Sequence, residues 1–123
     1  MTTEDNSQDV QAEINKLLAN PLANEDLLIR LGELDGALFA SPTDKEKRGL
    51  RFLRNLVERL QTTICTNEFA RANGQDASTQ RKALAVAATI DFLGAQGAAT
   101  ASVLMIQIGL ENVCAGTWEQ HVK

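Results

Sequence analysis

A chain of 123 residues is long enough to form one domain with a core of its own, without metals or disulfides. Its 16 acidic and 12 basic side chains give a formal net charge of −4, and a net negative charge does not favour binding to a polyanion such as nucleic acid. Helix-forming residues dominate and tyrosine is absent, so we predict an all-α fold, a compact bundle of four to five helices with one long central helix.

The chain begins with a polar segment, residues 1–8, that has nothing to bury and is predicted to be a disordered tail. Residues 9–123 are predicted to form a single helical-bundle domain. Its first helix starts at Asp9 and ends near Asn20, because the residue before Pro21 disfavours helix. The acidic start is unlike a signal peptide, so we expect a cytoplasmic protein.

The second helix is predicted to begin at Asn24, whose side chain can cap it, and to stop at Ser41-Pro42. Gly32 and Gly36 weaken this helix, although they would also allow a neighbouring helix to lie close. Its apolar stripe consists of Leu27, Leu28, Leu31, Leu34 and Leu38.

The third helix is predicted to be the longest. Thr43 and Glu46 fit a capping box at its start, and Asn73-Gly74 fits its end, so the helix would run to about Ala72. Its stripe for bundle packing consists of Leu50, Leu53, Leu56, Val57, Leu60, Ile64 and, less clearly, Phe69.

The stretch from Ala83 to Leu110 is apolar and contains a single charge, Asp91. It must bury against other helices, another copy of the chain or lipid. One unbroken helix would be long for a domain of this size, so we predict a break at Gly94 to Gly97. Helical phase favours an exposed Asp91; the alternative is a buried carboxylate paired with an arginine.

Cys65 and Cys114, the two cysteines, have no metal-site spacing and are expected to be small buried hydrophobes in a reducing cytoplasm. A disulfide between them is the less favoured alternative. Trp118 and His121 are predicted to lie in a short tail, where Trp118 would either seal the base of the bundle or anchor a partner.

The sequence offers no catalytic constellation, since His121 is the single histidine and no acid or thiol stands at a useful spacing. Gly94-Ala95-Gln96-Gly97 lacks the strand, lysine and hydroxyl of a phosphate loop. We therefore predict no catalytic residue, no metal, no cofactor and no enzymatic activity.

The remaining candidates are partner-binding residues. Lys47, Arg51 and Arg54 share one helical surface, with Arg48 beside them, and Trp118 is the candidate aromatic anchor. We predict a small non-catalytic protein-protein interaction module, such as an adaptor, inhibitor or assembly subunit, that binds a protein partner or itself through helix faces. Alternatives are a nucleic-acid-binding subunit that uses the basic face and a membrane-active protein that uses the Ala/Gly-rich stretch.

Overall fold

A computed structural model describes the backbone of residues 3–66 and 78–122 and the side chains of residues 9–66 and 78–122. This part of the chain is helical and contains no strand, which confirms the all-α class. The α-helices are α1 (Thr3–Ala19), α2 (Asn24–Leu34), α3 (Pro42–Ile64), α4 (Thr79–Thr89), α5 (Gly94–Ile108) and α6 (Leu110–Ala115), and 3-10 turns cover Asp91–Leu93 and Trp118–His121.

The helix at the centre of the bundle is α5, and α1, α2 and α4 pack around it. Every residue from Gly97 to Met105 is buried, so α5 has no solvated face over these turns. Small side chains such as Ala98, Ala99 and Ala101 let the surrounding helices approach closely. The part of the apolar stretch that forms residues 97–105 is therefore buried against other helices of the same chain.

The longest helix among the described residues is α3, as predicted, but the central helix is α5 and not this one; α3 buries one face rather than its whole circumference. Its main partner is the preceding helix α2. Gly32 of α2 and Gly49 of α3 lie where the two helices meet. A Cβ atom added to Gly49 would overlap the Leu28 carbonyl oxygen and lie 2.8 Å from that carbonyl carbon, and one added to Gly32 would overlap the Lys45 carbonyl in the same way. The two backbones are thus in direct contact, as predicted for Gly32.

The predicted break in the apolar stretch exists, and it lies slightly earlier than expected. The chain bends by 78° between α4 and the segment 91–108. Gly94 begins α5 with a φ of 83°, a conformation that glycine adopts at low cost, whereas Gly97 lies inside the helix. Asp91, in the 3-10 turn before Gly94, is exposed, as its helical phase predicted.

Two predicted helix starts differ from the structure. α1 begins at Thr3 rather than Asp9, although its end at Ala19 agrees with the prediction. α2 has Ala23 as its N-cap, without a side-chain cap, and Asn24 is its first helical residue. The side-chain amide of Asn24 donates to the carbonyl of His121, 3.4 Å away.

The predicted bounds of α3 are also wrong at both ends. Ser41 caps the helix, since its hydroxyl accepts from the Asp44 amide at 3.2 Å, and Pro42 occupies the first turn, where its missing amide costs nothing. The helix ends at Ile64, with Cys65 as its C-cap, several residues before the predicted end. The expectations for Phe69 and for Asn73-Gly74 concern residues outside the described part of the chain.

The two cysteines form a disulfide, so the expectation of two free buried thiols is wrong. Cys65 and Cys114 have Cα atoms 5.5 Å apart and are separated by 49 positions in the sequence. Cys65 is half-buried and Cys114 is exposed. The bond ties the end of α3 to α6, and a second link lies beside it, because the Gln61 side chain donates to the Val113 carbonyl at 3.2 Å.

Candidate protein-interaction site

The connection between α2 and α3 begins with a glycine turn that was not predicted from the sequence. α2 ends at Leu34, and Gly36 follows with a φ of 104°. The amide of Gly36 donates to the Glu33 carbonyl and that of Ala37 to the Gly32 carbonyl, a Schellman arrangement that satisfies the last carbonyls of the helix. The signal was present as Asp35-Gly36, a common turn pair, and it would have ended the helix before Leu38.

Three large apolar side chains are exposed at this connection. Leu34 is 47% exposed, Leu38 is 56% exposed and Phe39 is 97% exposed. We call these three residues the tip patch. Leu38 was predicted to belong to the buried stripe of α2, but the helix ends before it, so it leaves the stripe.

The backbone below the tip patch is held from several directions. Ala37 is buried and accepts a hydrogen bond from the amide of Ala40. Lys45 of α3 forms an ion pair with Glu33 of α2 at 2.9 Å. Arg48 forms another with Asp35 at 3.1 Å, and its guanidinium lies across Gly36. Partly exposed ion pairs contribute little to stability, about 0–1 kcal/mol each, and these two link α3 to the end of α2 and to the connection.

Phe92 is the other large hydrophobic side chain exposed among the described residues, at 58%. It differs from Phe39 because the Arg59 guanidinium lies over its ring, 5.2 Å from the ring centre. A cation above one face is a favourable contact that covers part of an aromatic side chain. Phe39 has no ring partner of this kind in the described part of the chain.

The four basic candidates on α3 have different surroundings. All are exposed. Arg48 is paired with Asp35, and Arg54 donates to Glu119 at 2.6 Å. Lys47 and Arg51 make no ion pair with any described residue. Two of the four cations are therefore already neutralised within the fold, which weakens the argument for a basic face that follows phosphates.

Trp118 is 5% exposed and packs in the core, as the sealing alternative in the sequence predicted. A side chain that is covered in this way does not offer an anchor to a partner, so Trp118 leaves the set of candidate contact residues. Val113 and Val122 on either side of it are buried as well. The segment 110–122 is thus packed back against the bundle rather than extended as a tail.

We also searched the described residues for a metal site and for a groove. Over the described side chains, no three His, Cys, Asp or Glu residues come close enough to hold a metal ion. An open groove is lined by Ala23, Asn24, Glu25, Glu46 and Val122, away from the Ala/Gly-rich helices.

The membrane alternative depends on a pair of helices. Among the described residues, no single helix is long and apolar enough to cross a bilayer. α4 and the segment 91–108 reach the required length and composition only together, as a pair bent by 78°.

The arrangement that stands out is therefore an exposed apolar cluster on the turn after α2, followed on α3 by two cations that make no ion pair with a described residue. Comparisons of this chain with protein-family models, with curated proteins and with solved structures find no match.

Proposed function

We propose that this protein is a non-catalytic interaction module that binds a protein partner through the tip patch. The observation that supports this most directly is the 97% exposure of Phe39 beside the half-exposed Leu34 and Leu38. Aromatic side chains, phenylalanine included, are enriched in protein-protein interfaces relative to the rest of the protein surface. Burying a phenylalanine side chain in a partner is worth about 1.5–3 kcal/mol.

The backbone that carries the tip patch is held by contacts within the fold. A contact residue on a mobile loop must be ordered when it binds, and this ordering reduces the affinity. Below the tip patch, the Schellman turn, the buried Ala37 and the Lys45–Glu33 and Arg48–Asp35 pairs hold the backbone before any partner arrives. The patch therefore needs little reorganisation to bind.

Two exposed cations on α3 indicate that the partner carries acidic side chains. Lys47 lies in the second turn of α3 and Arg51 in the third, both exposed and unpaired among the described residues. Acidic side chains around an apolar pocket would complement these two cations and would mainly accelerate association. We expect a partner with an apolar cleft and an acidic rim, and a cytoplasmic location remains part of the proposal.

The proposal is tested by placing a photo-crosslinking phenylalanine analogue at position 39 and, as the matched control, at position 92. Both sites are exposed phenylalanines of this chain. We expect a discrete protein adduct in cells from position 39 and not from position 92. An adduct that joins two copies of this chain would identify the partner as the protein itself. Equal labelling from both positions, or none from position 39, would contradict the proposal.

With the crosslinked partner in hand, Phe39→Ser should weaken its binding by about 2 kcal/mol, roughly 30-fold in Kd, measured by calorimetry. Because Phe39 is almost fully exposed, the same change should leave the free energy of unfolding within about 0.5 kcal/mol of the original value. Phe92→Ser should leave the affinity unchanged. A Phe39→Ser protein that is folded and binds normally would show that the contact lies elsewhere.

A further inference from the structure

The segment Leu110–Val122, which we call the strap, runs back along α3 from the disulfide. Cys114 is bonded to Cys65 at the end of α3. One turn earlier on α3, the side chain of Gln61 donates to the carbonyl of Val113. Two turns further back, Arg54 forms an ion pair with Glu119. At its far end the carbonyl of His121 accepts from Asn24 at the start of α2. The strap thus crosses the bundle from one end of α3 to the beginning of α2.

Apart from the disulfide, the strap is attached to the other described elements by noncovalent contacts. Arg54 and Glu119 are each about half exposed, so their ion pair is screened by water. The hydrogen bond from Asn24 is long, at 3.4 Å, and exposed. The apolar anchors are Val113, Trp118 and Val122. The disulfide is therefore the strap's covalent link to α3, which thermal motion cannot release, and it lies near the beginning of the strap.

The two cysteine residues of the disulfide differ in their exposure to solvent. Cys114 is exposed on α6, whereas Cys65 is half-buried and packs against the hydrophobic core. Exchange with an external thiol requires a thiolate to reach one sulfur of the bond, and access decides which sulfur is attacked. A structural disulfide that is shielded inside a core would not offer this choice.

From these contacts we propose that the Cys65–Cys114 disulfide is a reducible clasp: an external dithiol attacks Cys114, and reduction releases the strap from α3 while the rest of the bundle stays folded. This proposal is independent of the tip patch, which lies near the other end of α3. In a reducing cytoplasm, disulfides that form are usually transient and redox-sensing, which is the behaviour a clasp of this kind would have.

The reaction proceeds in two exchanges. A thiolate of the dithiol bonds to the Cys114 sulfur, and the Cys65–Cys114 bond breaks with its electron pair on the Cys65 sulfur, which takes up a proton. The second thiolate of the dithiol then attacks the other sulfur of the dithiol, the one bonded to Cys114 in the mixed disulfide. Cys114 leaves as a thiolate and takes up a proton, so the protein gains two electrons and the dithiol becomes a cyclic disulfide.

The chain carries its own reporter, because Trp118 on the strap is its single tryptophan. After treatment of the full chain with dithiothreitol, we expect Trp118 emission to shift to longer wavelength and acrylamide quenching to rise about twofold or more, since the buried ring reaches water. Amide exchange in residues 110–122 should accelerate about tenfold or more, while exchange in α5 stays slow.

A second measurement identifies the sulfur that is attacked. Glutathione, a monothiol, is added together with an alkylating agent that traps the thiol set free, and the modified peptides are located by mass spectrometry. We expect glutathione on Cys114 and the alkyl group on Cys65. The opposite distribution would overturn the assignment of the attacked sulfur.

The matched control is the Cys65→Ser/Cys114→Ser double variant, which should show the quenching and strap exchange of the reduced protein and should not respond to dithiothreitol. Three outcomes would overturn the clasp: a bond that survives millimolar dithiothreitol under native conditions, a strap whose exchange is unchanged after reduction, or exchange that accelerates equally in α5 and the strap. All three outcomes are measured on the wild-type chain, so the test does not depend on whether the variant folds.

Discussion

Replacing both cysteines, in Cys65→Ser/Cys114→Ser, should lower the free energy of unfolding by about 4 kcal/mol. The cross-link joins residues 49 positions apart, and the chain-entropy model assigns about 4 kcal/mol to a loop of this length, because the linked unfolded chain has fewer conformations. For a domain of this size, the loss corresponds to a decrease in Tm of roughly 15 °C. Urea unfolding followed by far-UV circular dichroism measures the change.

The control for this variant is the wild-type protein in reducing buffer, which should unfold at the same urea concentration as the double variant. Thr62→Ala, an exposed change on α3 that leaves the disulfide in place, should unfold close to the oxidised wild type. Equal midpoints for the oxidised wild type and the double variant would show that the cross-link contributes nothing to stability.

Gly49→Ala should destabilise the protein by about 3 kcal/mol, at the upper end of the range for overpacked sites. The added methyl group would overlap the carbonyl oxygen of Leu28 and lie 3.2 Å from the amide nitrogen of Gly32. Both neighbours are backbone atoms, so no side chain can rotate away and the two helices must separate. Alanine has the higher helix propensity by about 1 kcal/mol, and this gain reduces the loss without reversing its sign.

Gly32→Ala should destabilise through the same contact, because its methyl group would overlap the carbonyl of Lys45. The effects of the two changes should not add, since one separation of α2 and α3 relieves both overlaps. Asn55→Ala is the matched control, an exposed position on α3 where alanine should be neutral or slightly stabilising. Thermal unfolding of the wild type, the three single variants and the Gly32→Ala/Gly49→Ala double variant measures these effects. A Gly49→Ala protein as stable as the wild type would contradict the backbone contact.

These two effects come from contacts that local sequence patterns do not contain. Gly32 was recognised as a position where a helix could come close, yet the partner position, Gly49, lies 17 residues further along and carries no pattern of its own. Gly36, which the sequence grouped with Gly32, proves to be the turn residue after α2. Helical spacing identifies a small residue on a helix face, while the residue that fills the space opposite depends on how the helices cross.

The candidate site was predicted only in part, for a related reason. The sequence placed Lys47, Arg48, Arg51 and Arg54 on the surface of α3, and all four are exposed. It could not show that Asp35 and Glu119 neutralise two of them, because both acids come from other elements. Phe39 is not among the residues predicted from the sequence to bind a partner; it lies beyond the end of α2 at Leu34 and is 97% exposed.

What the sequence by itself determined is the all-α class, the end of α1 before Pro21, the exposure of Asp91 and the presence of a break before the central helix. Each of these depends on helical periodicity or on a single proline or glycine, which act over a few residues. Only the tertiary structure decided that Cys65 meets Cys114, that Trp118 is covered and that the tip patch is left uncovered. Those outcomes depend on which distant element packs over each side chain, and periodicity within one helix shows which face is apolar without showing what lies against it.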